Sequence, residues 1–313
     1  MDTLSDILST IRVDGSLFSR AALSAPWSVF TPPLSSAIFH VVLRGSGWVR
    51  LLDGTEEPWS AGDLILLPHG DHHEMCSEPG VKSLNIGTLA GPRGADGLAC
   101  VQHGGGGPTT SLLCGTFRFG PDGRAFLLER LPRLLVVRGH AGPTARWLDH
   151  TLQLMADEVN GGQPGADLLV SRLADILFVQ VLRGWSRQQP EGWLGALNDP
   201  QLGRALGLIH SEPGAPWTTD TLARRAGLSR SALYNRFQEQ LGEPPRSYLT
   251  RWRMVLARRA LRGGELGMAE VAEQVGYGSE AAFSRAFKRS VGESPAAWRR
   301  QAAQGVARSA AAR

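Results

Sequence analysis

The sequence predicts an α+β protein with three parts: a β-rich domain over residues 1–140, a helical connector over residues 141–198 and an all-helical domain over residues 199–303. Three observations lead to this prediction. Apolar runs interrupted by Gly and Pro fill the first part, apolar residues recur at three- and four-residue spacing in the second, and one helical pattern occurs twice in the third. Residues 304–313 are predicted to be a disordered tail.

The β-rich domain contains a recognisable order of strands and turns. Residues 37–52, AIFHVVLRGSGWVRLL, alternate around a Gly turn, and residues 62–70, GDLILLPHG, predict the next strand. The pattern G-x5-P-x-G-x2-H, which runs from Gly62 to His73, resembles the second conserved motif of cupins, with residues 39–54 as the preceding hairpin. The resemblance implies a small β-barrel of the jelly-roll type that senses an effector.

His40 and His73 are candidate metal ligands or effector contacts. In metal-binding cupins the motif that ends at His73 supplies one His, and an upstream HxHxxxxE-like strand supplies the others; that upstream set is mostly absent here. His40 lies on the strand that enters the predicted barrel, so we expect it to face His73. One interpretation is a divalent metal site, with Cys114 as a third ligand to Zn²⁺ or Fe²⁺. The other is a hydrogen-bonded histidine pair that lines an effector pocket, with no cofactor.

The sequence contains three cysteines, Cys76, Cys100 and Cys114. Their spacing does not form a disulfide framework, which is typical of a reducing cytoplasm. Two interpretations of Cys76 and Cys114 stay open: small buried hydrophobic side chains in strands, or the thiols of a redox switch.

The connector contains two helical patterns, residues 140–161 and residues 165–187. In the second, one face is predicted to carry Leu169, Leu173, Ile176, Leu177 and Val181. Such a face favours a homodimer, although packing onto the predicted barrel fits the same periodicity. Residues 188–200, rich in Gln, Pro and Gly, are expected to be the linker into the last domain.

The all-helical domain repeats one pattern. Each copy predicts a short helix, a Gly turn, a Ser cap and a second amphipathic helix, which together form a helix-turn-helix. One extra residue near Gly278 shifts the register. The copies run from Leu222 to Tyr248 and from Val271 to Trp298, and their matching positions are Leu222, Ala223, Ala226, Gly227, Ser229, Leu233, Phe237, Gly242, Pro245 and Tyr248, followed by Val271, Ala272, Val275, Gly276, Ser279, Phe283, Phe287, Gly292, Pro295 and Trp298.

In the first copy, Thr218 is predicted to cap the first helix, Gly227 to end it and Ser229 to cap the second helix. Leu233 and Phe237 then lie four residues apart on the buried face. The outward face carries side chains suited to phosphates and base edges, namely Arg230, Ser231, Tyr234, Asn235 and Gln238.

In the second copy, the second helix is predicted to begin at Ser279 and to bury Ala282, Phe283 and Phe287. Its outward face carries Glu280, Ala281, Ser284, Arg285 and Lys288. Charge agrees with a nucleic-acid partner, because residues 201–313 carry a net +9 whereas residues 1–200 carry −5. Two helix-turn-helix motifs in a basic segment indicate double-stranded DNA.

Residues 217–299 resemble the DNA-binding domain of AraC/XylS-type transcriptional regulators, above all over GYGSEAAFSRAFKRSVGESP. The resemblance implies two motifs joined by a long helix, here residues 245–262, whose recognition helices enter successive major grooves. Asn235 departs from the family, in which Arg is common at that position. The implied base-reading residues are Ser231, Tyr234, Asn235, Glu280, Ala281, Ser284 and Arg285, and Arg230 is a further candidate DNA contact.

Five arginines of the joining helix have two interpretations of equal weight: contacts to the DNA backbone, or solvated charges. They are Arg246, Arg251, Arg253, Arg258 and Arg259.

Two classes of function follow from these features. The first is a bacterial, sequence-specific transcriptional regulator, an activator rather than an enzyme, whose barrel responds to a small-molecule effector or an oxidant and whose partners include DNA, RNA polymerase and a second copy of the chain. The second is a cupin-type metalloenzyme with an appended DNA-binding domain. The incomplete ligand set and the length of the regulator resemblance favour the first. A membrane-spanning run and a basic secretory leader are absent, which predicts a cytoplasmic protein without a membrane partner.

Overall fold

The computed structural model describes residues 3–10, 13–93, 98–120, 126–139, 163–188 and 191–311, together with residues 150, 151, 153–155, 157, 158 and 161. The chain forms two compact units. The β-rich unit comprises Val13–Gly120 and Leu128–Gln188. The helical unit comprises Met1–Arg12, Pro121–Leu127 and Gln189–Arg313, so the chain enters it three times.

The described part of the β-rich unit contains twelve strands. Most are short and end at Gly or Pro turns, as the sequence pattern predicts. Their bounds are β1 Val13–Ser24, β2 Ser28–Thr31, β3 Ala37–Arg44, β4 Ser46–Leu51, β5 Glu56–Ser60, β6 Leu64–Leu67, β7 His73–Cys76, β8 Leu84–Asn85, β9 Ala90–Arg93, β10 Ala99–Gly104, β11 Thr109–Phe119 and β12 Leu135–Val137.

The strands form two mixed sheets. The seven-stranded sheet has the order β12-β6-β3-β11-β1-β10-β9, and the five-stranded sheet has the order β5-β4-β7-β2-β8. Most pairs are antiparallel, and β1 with β10 and β2 with β8 are parallel. The sheets enclose one apolar core, to which Ile38 and Val42 contribute from the first sheet and Val49 and Met75 from the second. The predicted α+β class with a cupin-like domain is confirmed, and the barrel consists of two facing sheets, neither of them closed on itself in the described residues.

Helix α1 (Thr3–Thr10) belongs to the helical unit, whereas α2 (Ile86–Leu89) and α3 (Ala166–Gln188) belong to the β-rich unit. Helix α3 covers the outer side of the seven-stranded sheet. Phe39 stacks on Phe117 with 4.5 Å between ring centroids, and Phe117 meets Phe178 of α3 at 5.0 Å. A Cβ on Gly15 would lie 2.6 Å from the Cβ of Ala174, so only glycine permits this close approach. Both sides of β3 are therefore buried, one by the second sheet and one by α3.

The apolar residues of α3 differ in how far they are buried. Leu177 and Val181 are buried against the sheet, whereas Leu169 and Ile176 are half exposed, at 50% and 46%. With about 3.6 residues per turn, these four residues and Leu173 lie on one broad side of the helix, as predicted, but the sheet covers only part of that side. Spacings of three and four residues predict an apolar face, and they do not predict what covers it.

The helical unit contains eight further helices in its described residues. The joining helix, predicted over residues 245–262, runs one residue longer, and the last helix continues past residue 303. Their bounds are α4 Gly192–Ala196, α5 Pro200–Ser211, α6 Thr219–Ala226, α7 Arg230–Leu241, α8 Pro245–Gly263, α9 Met268–Gln274, α10 Glu280–Val291 and α11 Pro295–Ala311.

An aromatic cluster forms the centre of the helical unit. Phe126, from the second of the three chain segments, is 1% exposed and packs against Trp252 and Tyr248 of α8 at centroid distances of 5.0 and 5.7 Å. His210 of α5 packs against Trp252 with 4.2 Å between ring centroids, and its Nε2 lies 2.8 Å from the Tyr248 hydroxyl. Helix α1 packs on α5, and the short helix α4 packs on α7. Segments distant in sequence thus complete one core.

The second helix-turn-helix has its own apolar core beside α8. Phe283 and Phe287 of α10 are fully buried, and Val271 and Val275 pack with Met254 of α8. Trp298 of α11 closes this core against Phe287. Helix α8 therefore contributes to the cores around both motifs, which makes it the structural link between them.

Candidate DNA-binding surface

The first helix-turn-helix is formed by α6 and α7. The Thr218 hydroxyl accepts a hydrogen bond from the Thr221 N–H at 3.1 Å and caps α6. Gly227 ends α6 at φ +74°, a backbone conformation that favours glycine, and the Leu228 N–H donates to the Ala223 carbonyl at 2.8 Å. Ser229 then caps α7. All three predicted roles, for Thr218, Gly227 and Ser229, are confirmed.

The second helix-turn-helix, formed by α9 and α10, has the same turn. Gly276 has φ +77°, and the Tyr277 N–H donates to the Ala272 carbonyl at 2.8 Å, which matches the Leu228 bond in the first motif. The Ser279 hydroxyl accepts from the Ala282 N–H at 3.2 Å, the same length as the Ser229 cap. The extra residue, Gly278, is accommodated between turn and cap.

The outward face of α7 carries the predicted side chains. Tyr234 is 46% exposed, and Arg230 lies 3.5 Å from the Asp220 carboxylate in an exposed ion pair. The Ser231 hydroxyl lies 3.2 Å from that of Ser229. Arg236, by contrast, turns inward and pairs with Asp199 at 3.1 Å, so it is bound within the helical unit. The exposed candidates on this helix are Arg230, Ser231, Tyr234, Asn235 and Gln238.

The outward face of α10 differs slightly from the prediction. Ser284 is only half exposed, and Ala282, predicted to be buried, is also partly exposed. Ala286 takes the buried place between Phe283 and Phe287 instead, because the helix is turned slightly relative to the predicted face. The exposed candidates are Glu280, Ala281, Arg285 and Lys288.

The arginines of α8 do not behave alike. Arg251 pairs with Glu243 at 2.7 Å and lies over the Phe126 ring at 4.2 Å, and Arg253 donates to three backbone carbonyls. The solvated-charge interpretation is wrong for these two, because their guanidinium groups are bound within the helical unit. Arg246 is exposed and Arg259 donates to the Ser9 carbonyl at 3.4 Å.

An open cleft of about 1090 Å³ lies beside α8 in the helical unit. It is bordered by the amino-terminal ends of α6 and α8 and by the last turn of α10. Basic side chains from three helices line it, namely Arg230 of α7, Arg246, Arg251 and Arg253 of α8, and Arg289 of α10. A concave basic surface of this kind attracts a polyphosphate backbone.

In the β-rich unit, the structure brings His40, His73 and Cys114 together. His40 and Cys114 are cross-strand partners on β3 and β11, and His73 comes from β7 of the opposite sheet. The two His Nε2 atoms lie 2.8 Å apart, and His40 Nδ1 lies 3.0 Å from the Cys114 Sγ. All three side chains are buried.

The hydrogen bonds in this cluster have one consistent direction. His73 Nδ1 lies 2.9 Å from the Asp71 carbonyl, which only accepts, so His73 donates there and its Nε2 accepts from His40. His40 Nδ1 then accepts from the Cys114 thiol. Burial lowers the pKa of His40 well below 6.5, lowers that of His73 to about 4 and raises that of Cys114 to about 12. Each group is therefore neutral near pH 7, as the chain of donors requires.

The same geometry does not suit a metal ion bound by all three side chains. His73 and Cys114 contact opposite ring nitrogens of His40, so one ion cannot contact both of them and His40 at once. Structural zinc sites use four protein ligands and catalytic ones three. Within the part of the chain that the structure describes, no group of three or more His, Cys, Asp or Glu side chains is placed to hold a metal ion. The residues of the cluster do not fit the metal-site interpretation.

Three features of the helical unit were missed in the sequence: the core residues Phe126 and His210, and the carbonyl contacts of Arg253. Phe126 lies within the predicted β-rich domain but outside the strand patterns described above, and its partners are more than eighty positions away. His210 precedes the first repeat and belongs to no motif. The carbonyls that Arg253 contacts are between 23 and 40 positions away from it, and no sequence pattern signals them.

Comparison with known proteins agrees with this architecture. The family model described as Cupin matches residues 2–187, and the model described as Helix-turn-helix domain matches residues 222–301. An AraC-like transcription regulator from Streptomyces lividans is 34% identical over 96% of this chain and 98% of its own length. AlkR from Acinetobacter baylyi, an HTH-type transcriptional regulator, is 33% identical over 96% of this chain and 100% of its own. RclR from Escherichia coli, an RCS-specific HTH-type transcriptional activator, is 25% identical over 97% and 99%.

A cupin-type domain followed by two helix-turn-helix motifs defines a class of DNA-binding transcription regulators. The chain belongs to the AraC-like family of transcriptional regulators with an amino-terminal cupin domain. It binds DNA through its helical unit. Among the helices that the structure describes, none combines the length and apolarity needed to span a bilayer.

Proposed function

We propose that the outward faces of α7 and α10 read base edges in two successive major grooves of one duplex. The observation that carries this proposal is the equivalence of the two motifs, which share a positive-φ glycine in the turn, a serine cap on the second helix and the same outward positions on that helix. A helix whose outward face carries exposed polar side chains can enter a major groove and form hydrogen bonds with base edges. The proposed DNA contacts are Arg230, Ser231, Tyr234, Asn235, Glu280, Ala281, Ser284 and Arg285.

Selection of duplexes from a random pool by the full chain tests this proposal. Repeated rounds are expected to enrich two short half-sites whose centres are about 10 bp apart, one for each motif. Enrichment of a single half-site would contradict the use of both motifs, and absence of any enriched sequence would contradict sequence-specific reading altogether. The selected duplex then serves as the probe for every binding experiment below.

The β-rich unit is proposed to respond to a small-molecule effector. An effector that binds one of two states more tightly shifts the protein toward that state. A thermal-shift screen of the full chain against a metabolite library would find compounds that bind. Those that also change affinity for the selected duplex are effectors; binding without such a change would contradict a regulatory role.

Of the two stimuli predicted from the sequence, a small molecule has more support than an oxidant. The reactive form of cysteine is the thiolate, and burial raises the pKa of both Cys76 and Cys114. If peroxide treatment changed DNA binding in the parent but not in a variant without cysteines, a redox switch would replace the small-molecule effector. The poor fit of the His40 cluster to a metal also supports a regulator without enzymatic activity.

A homodimer is proposed to form through the exposed apolar strip of α3. Leu168, Leu169 and Ile176 are 63%, 50% and 46% exposed on the part of α3 that the sheet does not cover. Sedimentation velocity of Leu168→Glu with Ile176→Glu is expected to show loss of the dimer. Leu52→Glu is the matched control, because Leu52 is 78% exposed on the turn after β4. A parent that sediments as a monomer would contradict the proposal.

The regulator is proposed to act in the cytoplasm as an activator that contacts RNA polymerase. Support comes from the name of RclR, a transcriptional activator that aligns over almost the whole chain. In a reporter strain, expression from a promoter that carries the selected duplex is expected to rise with the parent protein and to fall to baseline with Arg285→Ala. Lower expression in the presence of the parent would make the protein a repressor.

A further inference from the structure

The half-buried side chain of Arg253 borders the open cleft beside α8, and its guanidinium is bound by the backbone of the helical unit. Arg253 is on the middle of α8, and its guanidinium donates three hydrogen bonds to backbone carbonyls: Nε to Pro213 at 2.7 Å, Nη2 to Ala215 at 2.8 Å and Nη1 to Gly276 at 3.3 Å. Its Cζ also lies over the Tyr277 ring at 5.7 Å. The planar guanidinium thus contacts three separate points of the chain.

These three carbonyls belong to different motifs. Pro213 and Ala215 lie in the loop that leads into α6 of the first motif, and Gly276 lies in the turn between α9 and α10 of the second. The loop and the turn also lie close together, because a Cβ on Gly276 would lie 2.5 Å from the Gly214 carbonyl. Arg253 therefore ties the entry of one motif to the turn of the other, with α8 as the common support.

Two of the three Arg253 hydrogen bonds are short, at 2.7 and 2.8 Å. Burial lowers the pKa of Arg253, since the charge loses part of its hydration, and the carbonyls replace the lost water. A lysine has a single ammonium group in place of the planar guanidinium, so it cannot donate to three separate carbonyls in one plane. The site therefore selects arginine by its geometry.

Gly276 leaves room for the guanidinium. A Cβ at this position would lie 2.5 Å from Arg253 Nη2 and 2.5 Å from the Gly214 carbonyl, and φ +77° adds backbone strain for any other residue. The equivalent Gly227 in the first motif has no such close contact: its nearest neighbour, Gln201 Nε2, is 3.7 Å away. The absence of a side chain at Gly276 thus has a role that its counterpart does not share.

We infer that Arg253 is a positioning residue that fixes the separation and rotation of the two recognition helices, so that both enter one duplex in register. It does so without touching DNA, by locking loop 213–215 and the Gly276 turn together. The inference rests on the proposed function in that both motifs must engage the same duplex. A single motif can dock in any orientation, but two linked motifs gain affinity only when their spacing matches the spacing of the grooves.

Two duplexes test this role. One is the duplex selected by the parent, and the other carries 5 bp inserted between its half-sites, which rotates one half-site by about half a helical turn. The ratio of the two affinities is the spacing preference. It is measured for the full chain and for Arg253→Met, Arg253→Lys and Gly276→Ala. Arg262→Met serves as the control, because it removes the same charge from an exposed position of the same helix.

The parent and Arg262→Met are expected to prefer the selected duplex by at least about tenfold. For Arg253→Met the preference is expected to fall to about threefold or less, while affinity for the inserted duplex stays within about twofold of the parent, because one motif still binds. Arg253→Lys is expected to be intermediate, and Gly276→Ala to resemble Arg253→Met.

A folded Arg253→Met protein that keeps the parental preference would overturn the inference. If that variant does not fold, Arg253→Lys and Gly276→Ala provide the test. A parental spacing preference in both of these variants would likewise overturn the inference. A loss of affinity for both duplexes by the same factor would instead make Arg253 a DNA contact and also overturn it. A parent without any spacing preference refutes the proposed function itself, which is visible before any substitution is made.

Discussion

The two helix-turn-helix motifs share one backbone geometry but differ in charge. Both have a positive-φ glycine in the turn and a serine cap with a 3.2 Å hydrogen bond. Residues 218–241 of the first motif hold four arginines and two acidic residues, whereas residues 267–291 of the second hold three basic and three acidic residues. The two motifs therefore share a backbone scaffold but differ in surface charge.

The position of the charges differs more than their number. In the first motif Arg224 and Arg225 lie on α6, outside the recognition helix, and the exposed middle of α7 presents Tyr234 and Asn235. In the second motif α9 is acidic, and the basic side chains lie on α10 itself. We therefore expect the middle of the first recognition helix to bind through the neutral polar side chains of Tyr234 and Asn235, with Arg230 as a charged contact at its start, and the second recognition helix to bind through charged side chains.

The largest effect is expected at the matched core phenylalanines. Phe237→Ala and Phe287→Ala each remove a fully buried ring and should cost about 3–5 kcal/mol of stability. Because α8 and Arg253 join the motifs, either substitution should raise amide hydrogen exchange in both of them. Exchange that rises only in the substituted motif would mean that the two unfold independently.

The contrast between charged and neutral reading predicts unequal effects on DNA. Arg285→Ala should lower affinity for the selected duplex by roughly 10- to 100-fold, and Asn235→Ala by about tenfold or less, since an arginine pair with guanine is charged. Affinity for a random duplex should change less in both variants. Equal losses on selected and random duplexes would reassign Arg285 to a phosphate contact.

Low pH is expected to destabilise the helical unit on the side that carries the first motif, because the buried His210 lies there. Burial lowers the pKa of His210 from 6.5 to about 3, and no histidine follows it in the sequence. A buried neutral histidine stabilises the folded state above pH 6.5, and that stability is lost as the pH falls toward 3. Between pH 7.5 and 5.5 the loss should be about 1.4 kcal/mol.

Urea unfolding of the parent and of His210→Gln at both pH values measures this loss. Glutamine keeps a polar group near the Tyr248 hydroxyl but does not titrate, so the variant should lose less stability on acidification. The histidines of the β-rich unit are present in both proteins and cancel in the comparison. Identical pH sensitivity of parent and variant would show that His210 does not contribute.

The smallest effects are expected at the helix caps, where the two motifs are most alike. Ser229→Ala and Ser279→Ala each remove one hydrogen bond to a backbone N–H and should cost about 1 kcal/mol. Thermal unfolding should give similar shifts for the two variants. A clear difference would mean that the equal cap geometry hides unequal packing around the two turns.

The local features of the motifs could be predicted from sequence because they depend on neighbouring residues. Thr218, Gly227, Ser229 and Ser279 act within four positions of themselves, and their roles follow from residue type and spacing. The inward turn of Arg236 could not be predicted, since its partner Asp199 is 37 positions away. The proposed base contacts lie where the pattern expects them, apart from the half-buried Ser284.

In the β-rich unit, too, features that depend on neighbouring residues could be predicted, and features that depend on distant residues could not. Strand alternation places His40 between Ile38 and Val42 on the inner side of β3, so a position facing the barrel interior follows from sequence. The approach of Cys114 to the other ring nitrogen depends on the register of β3 with β11, 74 positions apart. That register decides between a metal ligand and a hydrogen-bond donor, and no spacing rule contains it.

The threefold entry of the chain into the helical unit has a consequence for any attempt to isolate that unit. A recombinant fragment of residues 189–313 alone would lack Phe126 and helix α1, and would leave Tyr248, Trp252 and His210 open to water on one side. Exposed aromatic surface of this kind promotes self-association. The helical unit is thus completed by residues that lie before and within the sequence of the β-rich unit, and the chain cannot be divided at one position without leaving the helical unit incomplete.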